Sequence, residues 1–153
     1  MGVIRMAVIG GVAVVAIANG VTTDKRSTKA AIEKYKLTKY ETGFMNQCKS
    51  AMGSYNVKFS KGAKRTEGCA CVTSKLSKSL SQKRLKSAGD VLDVAYYFTQ
   101  NKKKKKKRNY KTGLRKLERV QKKYKLSNAK FKLLLNTVVT SVNQCGKKPS
   151  QRS

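Results

Sequence analysis

Histidine is absent from this 153-residue chain, and its absence excludes several classes of enzyme. Ser-His-Asp and Cys-His arrangements use an imidazole as general base, and many metal sites use it as a ligand. Asp90 and Asp93 lie one helical turn apart, and we interpret them as favourable charges at a helix N-terminus rather than as a catalytic pair. We therefore expect no catalysis and no cofactor. The acidic residues are few: Asp24, Glu33, Glu41, Glu67, Asp90, Asp93 and Glu118.

Strand signals and helix breakers are also scarce. Proline occurs once, at Pro149, tryptophan is absent, and no apolar–polar alternation runs beyond four residues. A chain rich in Lys, Leu and Ala with so few breakers favours helices. The fold class expected is therefore all-α, a small bundle of four to five helices stapled by two disulfides. The apolar stripes predict helices over about 28–52, 66–81, 87–98, 114–124 and 128–145.

Cap and loop signals set the expected ends of these helices. Ser87-x-x-Asp90 resembles a capping box, so it predicts the start of the third helix. Ser127 is a good N-cap for the last helix, which Gly146 and Pro149 should end. The Gly, Ser and Asn content of residues 53–64 predicts a loop.

The N-terminal segment, residues 1–20, has the pattern of a secretory signal peptide. Arg5 precedes an apolar run from Met6 to Ala18, and small residues stand before cleavage points after Ala18 and after Gly20. The run is short for a membrane span, which needs about 20 apolar residues. We expect an exported protein, periplasmic or extracellular, with a helical domain at 21–147 and a loose tail at 148–153. The alternative is an uncleaved segment that anchors the protein to the membrane.

Four cysteines remain beyond that segment: Cys48, Cys69, Cys71 and Cys145. An even number in an exported chain predicts disulfides. Helical residues rotate by about 100° each, so Cys69 and Cys71 should point to nearly opposite sides and take different partners. The sequence does not fix the pairing, although the apolar stripes favour Cys69–Cys145 with Cys48–Cys71. Two alternatives are a metal site built from all four cysteines and a redox-active Cys-x-Cys pair.

Two stretches around these cysteines resemble small exported helical proteins of proteobacteria. The stretches are FMNQC at 44–48 and GCACVTSKLSKSLS at 68–81. That group has a Phe-x-x-x-Cys helix followed by Cys-x-Cys-x-x-x-x-Leu and Leu-Ser. The resemblance covers about residues 40–85 and implies export and a helical fold, but no activity. The chain departs from the group in its lysine excess and in the stretch NKKKKKKRN.

Charge of one sign dominates the composition. Lys and Arg number 36 against seven acidic residues, which gives a formal net charge of +29. Such an imbalance points to an anionic surface or polymer as partner: lipid headgroups, envelope polysaccharide or nucleic acid, bound nonspecifically. Because lysine outnumbers arginine, diffuse binding is expected rather than a shaped phosphate pocket. The alternative is that lysine richness reflects genome composition. A protein partner in the envelope also fits, and the oligomeric state stays open.

The densest cationic stretch lies between Asn101 and Lys125, with 14 basic residues and one acid, Glu118. We predict a basic loop at 101–109. One hypothesis makes this segment a solvated connection, and the other makes it a patch that faces polyanions. The candidate anion-binding residues are Lys102, Lys103, Lys104, Lys105, Lys106, Lys107, Arg108, Lys111, Arg115, Lys116, Arg119, Lys122 and Lys123.

The expected function is that of an exported binding or structural protein of the cell envelope, with a polycationic face. One alternative is a membrane-active cationic effector whose basic helices disrupt bilayers. Another is a single-pass accessory subunit of an envelope complex, if the N-terminal segment is retained.

Overall fold

The computed structural model describes residues 24–59, 62–101 and 107–146, which form six helices. The predicted all-α bundle with two disulfides is confirmed. The predicted signal peptide at 1–20 and the tail at 148–153 lie outside the described residues. The helices are α1 (residues 24–35), α2 (Lys39–Ser54), α3 (Arg65–Ser79), α4 (Gln82–Asn101), α5 (Lys107–Tyr124) and α6 (Asn128–Cys145).

Helix α3 is the central element of the bundle. It packs against α2 on one side and α6 on the other. Every residue from Gly68 to Thr73 is buried, as is Leu76. A helix that is buried on two faces cannot be described by one apolar stripe. This burial places both cysteines of the Cys-x-Cys pair in the core.

The two disulfides follow from this central position. Cys48–Cys69 joins α2 to α3, and Cys71–Cys145 joins α3 to α6, with Cα–Cα distances of 5.8 and 5.7 Å. The prediction that Cys69 and Cys71 take different partners is confirmed. The favoured pairing is wrong, because it assumed a single buried face on α3. The metal-site alternative is also wrong, since the four sulfurs are all bonded in disulfides.

The predicted helix 28–52 is two helices, α1 and α2. Lys36 adopts a left-handed φ of 50°. The N–H groups of Lys36 and Leu37 donate to the carbonyls of Glu33 and Ile32, at 3.2 and 3.0 Å. These bonds form a Schellman motif that ends α1. Thr38 then begins α2 through a capping box with Glu41. The prediction failed because the apolar spacing continues across the break.

A similar helix-ending turn, followed by an N-cap, connects α5 to α6. Residues 34–38 read KYKLT and residues 123–127 read KYKLS. Lys125 has a φ of 52°, and the Leu126 N–H donates to the Gln121 carbonyl at 2.9 Å. Ser127 caps α6 by accepting from the Lys130 N–H at 3.3 Å, as predicted. A lysine in the left-handed region therefore ends two helices of this bundle.

Helix α4 starts five residues before the predicted position, at Gln82. Ser87 is buried inside the helix, and its hydroxyl donates to the Arg84 carbonyl at 2.8 Å. The predicted capping box at Ser87 is therefore wrong. Leu85 and Ala88 explain the earlier start, because both are buried on the face of α4 that packs into the core.

The loop after α2 includes a core residue that the sequence interpretation missed. Phe59 is buried, and its ring packs so close to Gly68 that a Cβ there would lie 2.1 Å from a ring carbon. The Ala63 N–H donates to the Gly146 carbonyl at 3.2 Å. The loop thereby ties the start of α3 to the end of α6.

Candidate anion-binding surface

Helix α5 separates its apolar and basic residues onto opposite sides. The side that packs chiefly against α4 carries four buried or half-buried residues, Gly113, Leu117, Val120 and Tyr124. Helical geometry places the opposite side at Lys111, Arg115, Arg119 and Lys122, which are exposed. We call these four residues the outward face of α5. Glu118 is the one acidic residue of the helix.

The remaining candidate residues divide into three groups. Lys102–Lys106 lie outside the described residues. Lys107 and Arg108 begin α5, and Asn101 ends α4, so both ends of the predicted basic loop 101–109 are helical instead. Lys116 and Lys123 lie on the flank of α5 and are drawn towards carboxylates of α4. The structure therefore gathers four of the thirteen candidates into one exposed helical face.

Lys116 is held by aromatic and acidic neighbours. Its Nζ lies 3.2 Å from the Tyr55 hydroxyl, 3.5 Å from Asp93 Oδ2 and 5.4 Å from the Tyr97 ring centroid. The Tyr55 and Tyr97 rings pack edge to face at 6.0 Å. Burial lowers the pKa of Lys116, but the Tyr55 hydrogen bond and the Asp93 charge outweigh it and raise the pKa overall. Lys116 therefore attaches α5 to α2 and α4.

Asp90 makes the second attachment of α5. Its carboxylate accepts from Gln47 Nε2 at 2.9 Å, from Lys123 Nζ at 2.7 Å and from the Tyr124 hydroxyl at 2.8 Å. Burial alone would raise the pKa of Asp90, but hydrogen bonds from Lys123, Tyr124 and Gln47 outweigh it and hold the pKa below its ordinary value. Helices α2, α4 and α5 meet at this carboxylate.

The interpretation of Asp90 and Asp93 as charges at a helix N-terminus is wrong. Both lie in the interior of α4, which begins at Gln82. They line a cleft of about 440 Å³ between α2, α4 and α5, together with Lys116, Arg119 and Lys123. Because each carboxylate already accepts hydrogen bonds from a lysine and a tyrosine, this cleft is suited to holding helices together.

Most of the carboxylates have structural partners. Glu67 pairs with Lys34 at 2.6 Å and also accepts from the Tyr35 hydroxyl, which links α1 to α3. Asp24 pairs with Lys49 at 3.1 Å, which links α1 to α2. Glu41 is bound in the capping box of α2. With Asp90 and Asp93 also occupied, five of the seven carboxylates stabilise the fold. Few remain to neutralise the exposed cations.

The sequence interpretation included the four residues of the outward face among its thirteen candidates but did not separate them from the others, and it missed the groups that position α5. The mixed spacing of basic and apolar residues from Leu114 to Tyr124 indicated an amphipathic helix. Gln47, Tyr55 and Tyr97 contact α5 or its carboxylate partners from other helices, and no local pattern marks them. Tyr97 donates to the Asn109 carbonyl at 3.0 Å, which fixes the first turn of α5.

No protein-family model matches this chain, and no curated protein or solved structure matches it either. None of the helices in the described ranges is long and apolar enough to cross a membrane. The disulfides are typical of proteins from oxidising, exported environments.

Proposed function

We propose that this protein is an exported, disulfide-stapled helical protein of the cell envelope that binds anionic polymers or surfaces through the outward face of α5. The observation that carries the proposal is the position of Lys111, Arg115, Arg119 and Lys122. All four are exposed. Lys111, Arg115 and Lys122 lie opposite the packed side of α5, and Arg119 stands at the edge of this face, where it also lines the cleft between α2, α4 and α5.

The geometry of this face suits a repeating anion. Lys111, Arg115 and Arg119 follow one another at every fourth residue, which spaces them by about 6 Å along the helix. The ends and flank of α5 are fixed by Tyr97, Lys116 and Lys123, so the face is presented as a rigid surface. Binding to it would release condensed counterions from a polyanion, which makes the affinity depend on salt.

Export is supported by the two disulfides, because such bonds persist in oxidising compartments. The periplasmic or extracellular location, and cleavage after Ala18 or Gly20, stay predictions. Sequencing the N-terminus of the native protein tests them, and an intact Met1 would contradict cleavage.

The test is binding to duplex DNA and to anionic vesicles at several salt concentrations. Replacing Lys111, Arg115, Arg119 and Lys122 by Gln should weaken binding and flatten its salt dependence. If all four contact phosphates, the slope of log K against log salt for DNA should decrease in magnitude by about 3.6.

A matched control removes the same charge from elsewhere. Lys75, Lys78, Lys130 and Lys132 are exposed on α3 and α6, and their replacement by Gln also removes four positive charges. The proposal expects a smaller loss of affinity for the control. Equal losses would mean that net charge alone governs binding and that the outward face has no special role.

The second candidate function is disruption of membranes by α5. The observation that favours it is that α5 is amphipathic and packs chiefly against α4, without a disulfide of its own. Vesicles of anionic lipid loaded with a dye separate the two functions. Leakage at low protein concentration supports disruption, whereas adsorption without leakage supports surface binding.

A further inference from the structure

A second basic site lies between the N-terminal halves of α2 and α4. The two helices border an open groove of about 730 Å³. Phe44 and Leu85, which are buried, lie at the floor of the groove, and Tyr40 lines it with 66% of its surface exposed. An aromatic side chain that remains so exposed beside apolar neighbours offers a surface for stacking.

Two glycines mark where α2 and α4 touch and where they leave open space. At Gly89, Gln47 lies so close that a Cβ would come 2.2 Å from its Oε1, so α2 and α4 are in contact there. Gly43, one turn before Gln47, has no atom from beyond its own stretch of helix within 4 Å of where its Cβ would be. Packing does not require a glycine at position 43, and a glycine inside a helix is unfavourable. Its effect is to keep this part of the groove open.

All the charged residues that line the groove are basic. Lys39, Lys83 and Lys86 line it, and no acidic residue is among the lining residues. Lysine is a mobile point charge on a flexible stem, suited to phosphates whose position varies. The combination of an exposed aromatic ring with lysines is the arrangement by which proteins hold single-stranded nucleic acids.

We propose that this groove binds a short segment of single-stranded nucleic acid, with a base stacked on Tyr40 and the adjoining phosphates neutralised by Lys39, Lys83 and Lys86. The inference goes beyond the proposed function, since α5 contributes no residue to the groove. Stacking tolerates any base, because every base has a π-face, so little sequence preference is expected. A polyanion without bases would gain only the charge interaction.

The experiment compares an eight-nucleotide deoxythymidine strand with polyphosphate of matched charge, both at 0.1 M salt, using the full chain. Tyr40→Ala should weaken binding of the oligonucleotide about 5- to 150-fold, the range that alanine substitution of a stacking residue gives. Binding of polyphosphate should not change. Tyr40→Phe should retain binding, because it keeps the ring.

Two further variants make the test specific to the groove. Gly43→Leu fills open space on an exposed helix position, so it should leave the fold intact, keep the melting temperature at least as high, and block the oligonucleotide. Tyr110→Ala removes another exposed tyrosine, 62% exposed on α5, and should leave oligonucleotide binding unchanged.

The outcomes separate this proposal from the function of α5. Unchanged oligonucleotide binding in Tyr40→Ala or Gly43→Leu, an equal loss for polyphosphate, or an equal loss in Tyr110→Ala would each overturn the groove as a stacking site. Replacing the outward face of α5 should weaken both probes to a similar extent. A selective loss of the oligonucleotide in Tyr40→Ala would support the groove even if the α5 variant behaved like its control.

Discussion

Within residues 24–59, 62–101 and 107–146, three residues other than glycine hold left-handed backbone conformations: Lys36, Asn56 and Lys125, with φ values of 50°, 48° and 52°. Each ends a helix, and each is followed by an apolar residue whose N–H donates back across the turn. Asparagine tolerates this conformation, whereas a lysine side chain gains nothing from it. At Lys36 and Lys125 the folded backbone therefore has an unfavourable conformational energy, which other interactions of the fold offset.

Replacing Lys36 by Gly should stabilise the protein by about 0.5–1 kcal/mol, because glycine adopts positive φ without the steric penalty. Lys29→Gly is the matched control: it removes the same charge from the interior of α1 and should destabilise by about 1 kcal/mol. Thermal or urea unfolding of both variants measures the difference. A destabilised Lys36→Gly variant would show that the Lys36 side chain stabilises the turn between α1 and α2.

Tyr96 has a buried hydroxyl that finds no hydrogen-bond partner within the described part of the chain. Burial raises its pKa to about 12. Tyr96→Phe should stabilise the protein at neutral pH by about 1–3 kcal/mol, the usual cost of an unsatisfied buried polar group. A loss of stability in this variant would mean that the hydroxyl has a partner in solution.

The same tyrosine predicts a dependence on alkaline pH. In the unfolded chain it ionises near its ordinary pKa of 10.0, while in the folded protein it stays neutral until about 12. Between these two values the unfolded chain loses this proton and the folded protein keeps it, so the free energy of unfolding should be unaffected by Tyr96 ionisation below about pH 10 and should fall as the pH rises towards 12. Unfolding measured from pH 9 to 12 should show a shallower decline for Tyr96→Phe. Parallel curves would exclude Tyr96 as the cause.

At the scale of the element, the sequence predicts a helix correctly where a cap and an apolar stripe belong to that helix alone. The prediction fails where one apolar spacing runs through two consecutive helices. Helix α6 was located because Ser127 caps it and because its stripe from Phe131 to Cys145 has one buried face. The break at Lys36 was missed because no glycine marks it, although Thr38-x-x-Glu41 was a capping box that could have been recognised.

Tertiary packing explains the other failures. Ser87-x-x-Asp90 has the sequence of a cap, but Ser87 is buried within α4, and Asp90 is the meeting point of three helices. The pairing of Cys69 could not be predicted, because α3 is buried on both faces. The outward face of α5 was predictable from spacing, whereas the groove at Tyr40 depends on how α2 and α4 meet.

The two disulfides should contribute unequally to stability. Cys48–Cys69 closes a sequence separation of 21 residues, and Cys71–Cys145 closes one of 74. Loop-closure entropy then predicts about 3 kcal/mol for the first and about 4.5 kcal/mol for the second. Replacing each pair by Ala tests this in urea. A larger loss for the shorter loop would show that packing around Cys69 and Met52, whose sulfurs lie 3.7 Å apart, dominates over chain entropy.

At the scale of the whole molecule, repulsion among cations is the main electrostatic feature. The chain has only seven carboxylates for 36 basic residues, and most of those carboxylates already hold helices together. Net charge far from zero destabilises a compact state through self-repulsion. The disulfides across the central helix α3 oppose that repulsion by restricting the unfolded chain. An anionic partner would oppose it by supplying the missing charge.

This balance predicts opposite effects of salt on folding and on binding. Raising NaCl from 0.01 to 0.3 M shortens the screening length from about 30 Å to below 10 Å, so the melting temperature should rise. Over the same range the affinity for a polyanion should fall. At low salt, adding the polyanion should raise the melting temperature, because a ligand of the native state stabilises it by mass action.

The variant with Gln at Lys111, Arg115, Arg119 and Lys122 should show a smaller effect of NaCl on melting than the original chain. A melting temperature that falls with NaCl would mean that ion pairs such as those between the described helices outweigh repulsion, and the charge imbalance would then no longer argue for an anionic partner.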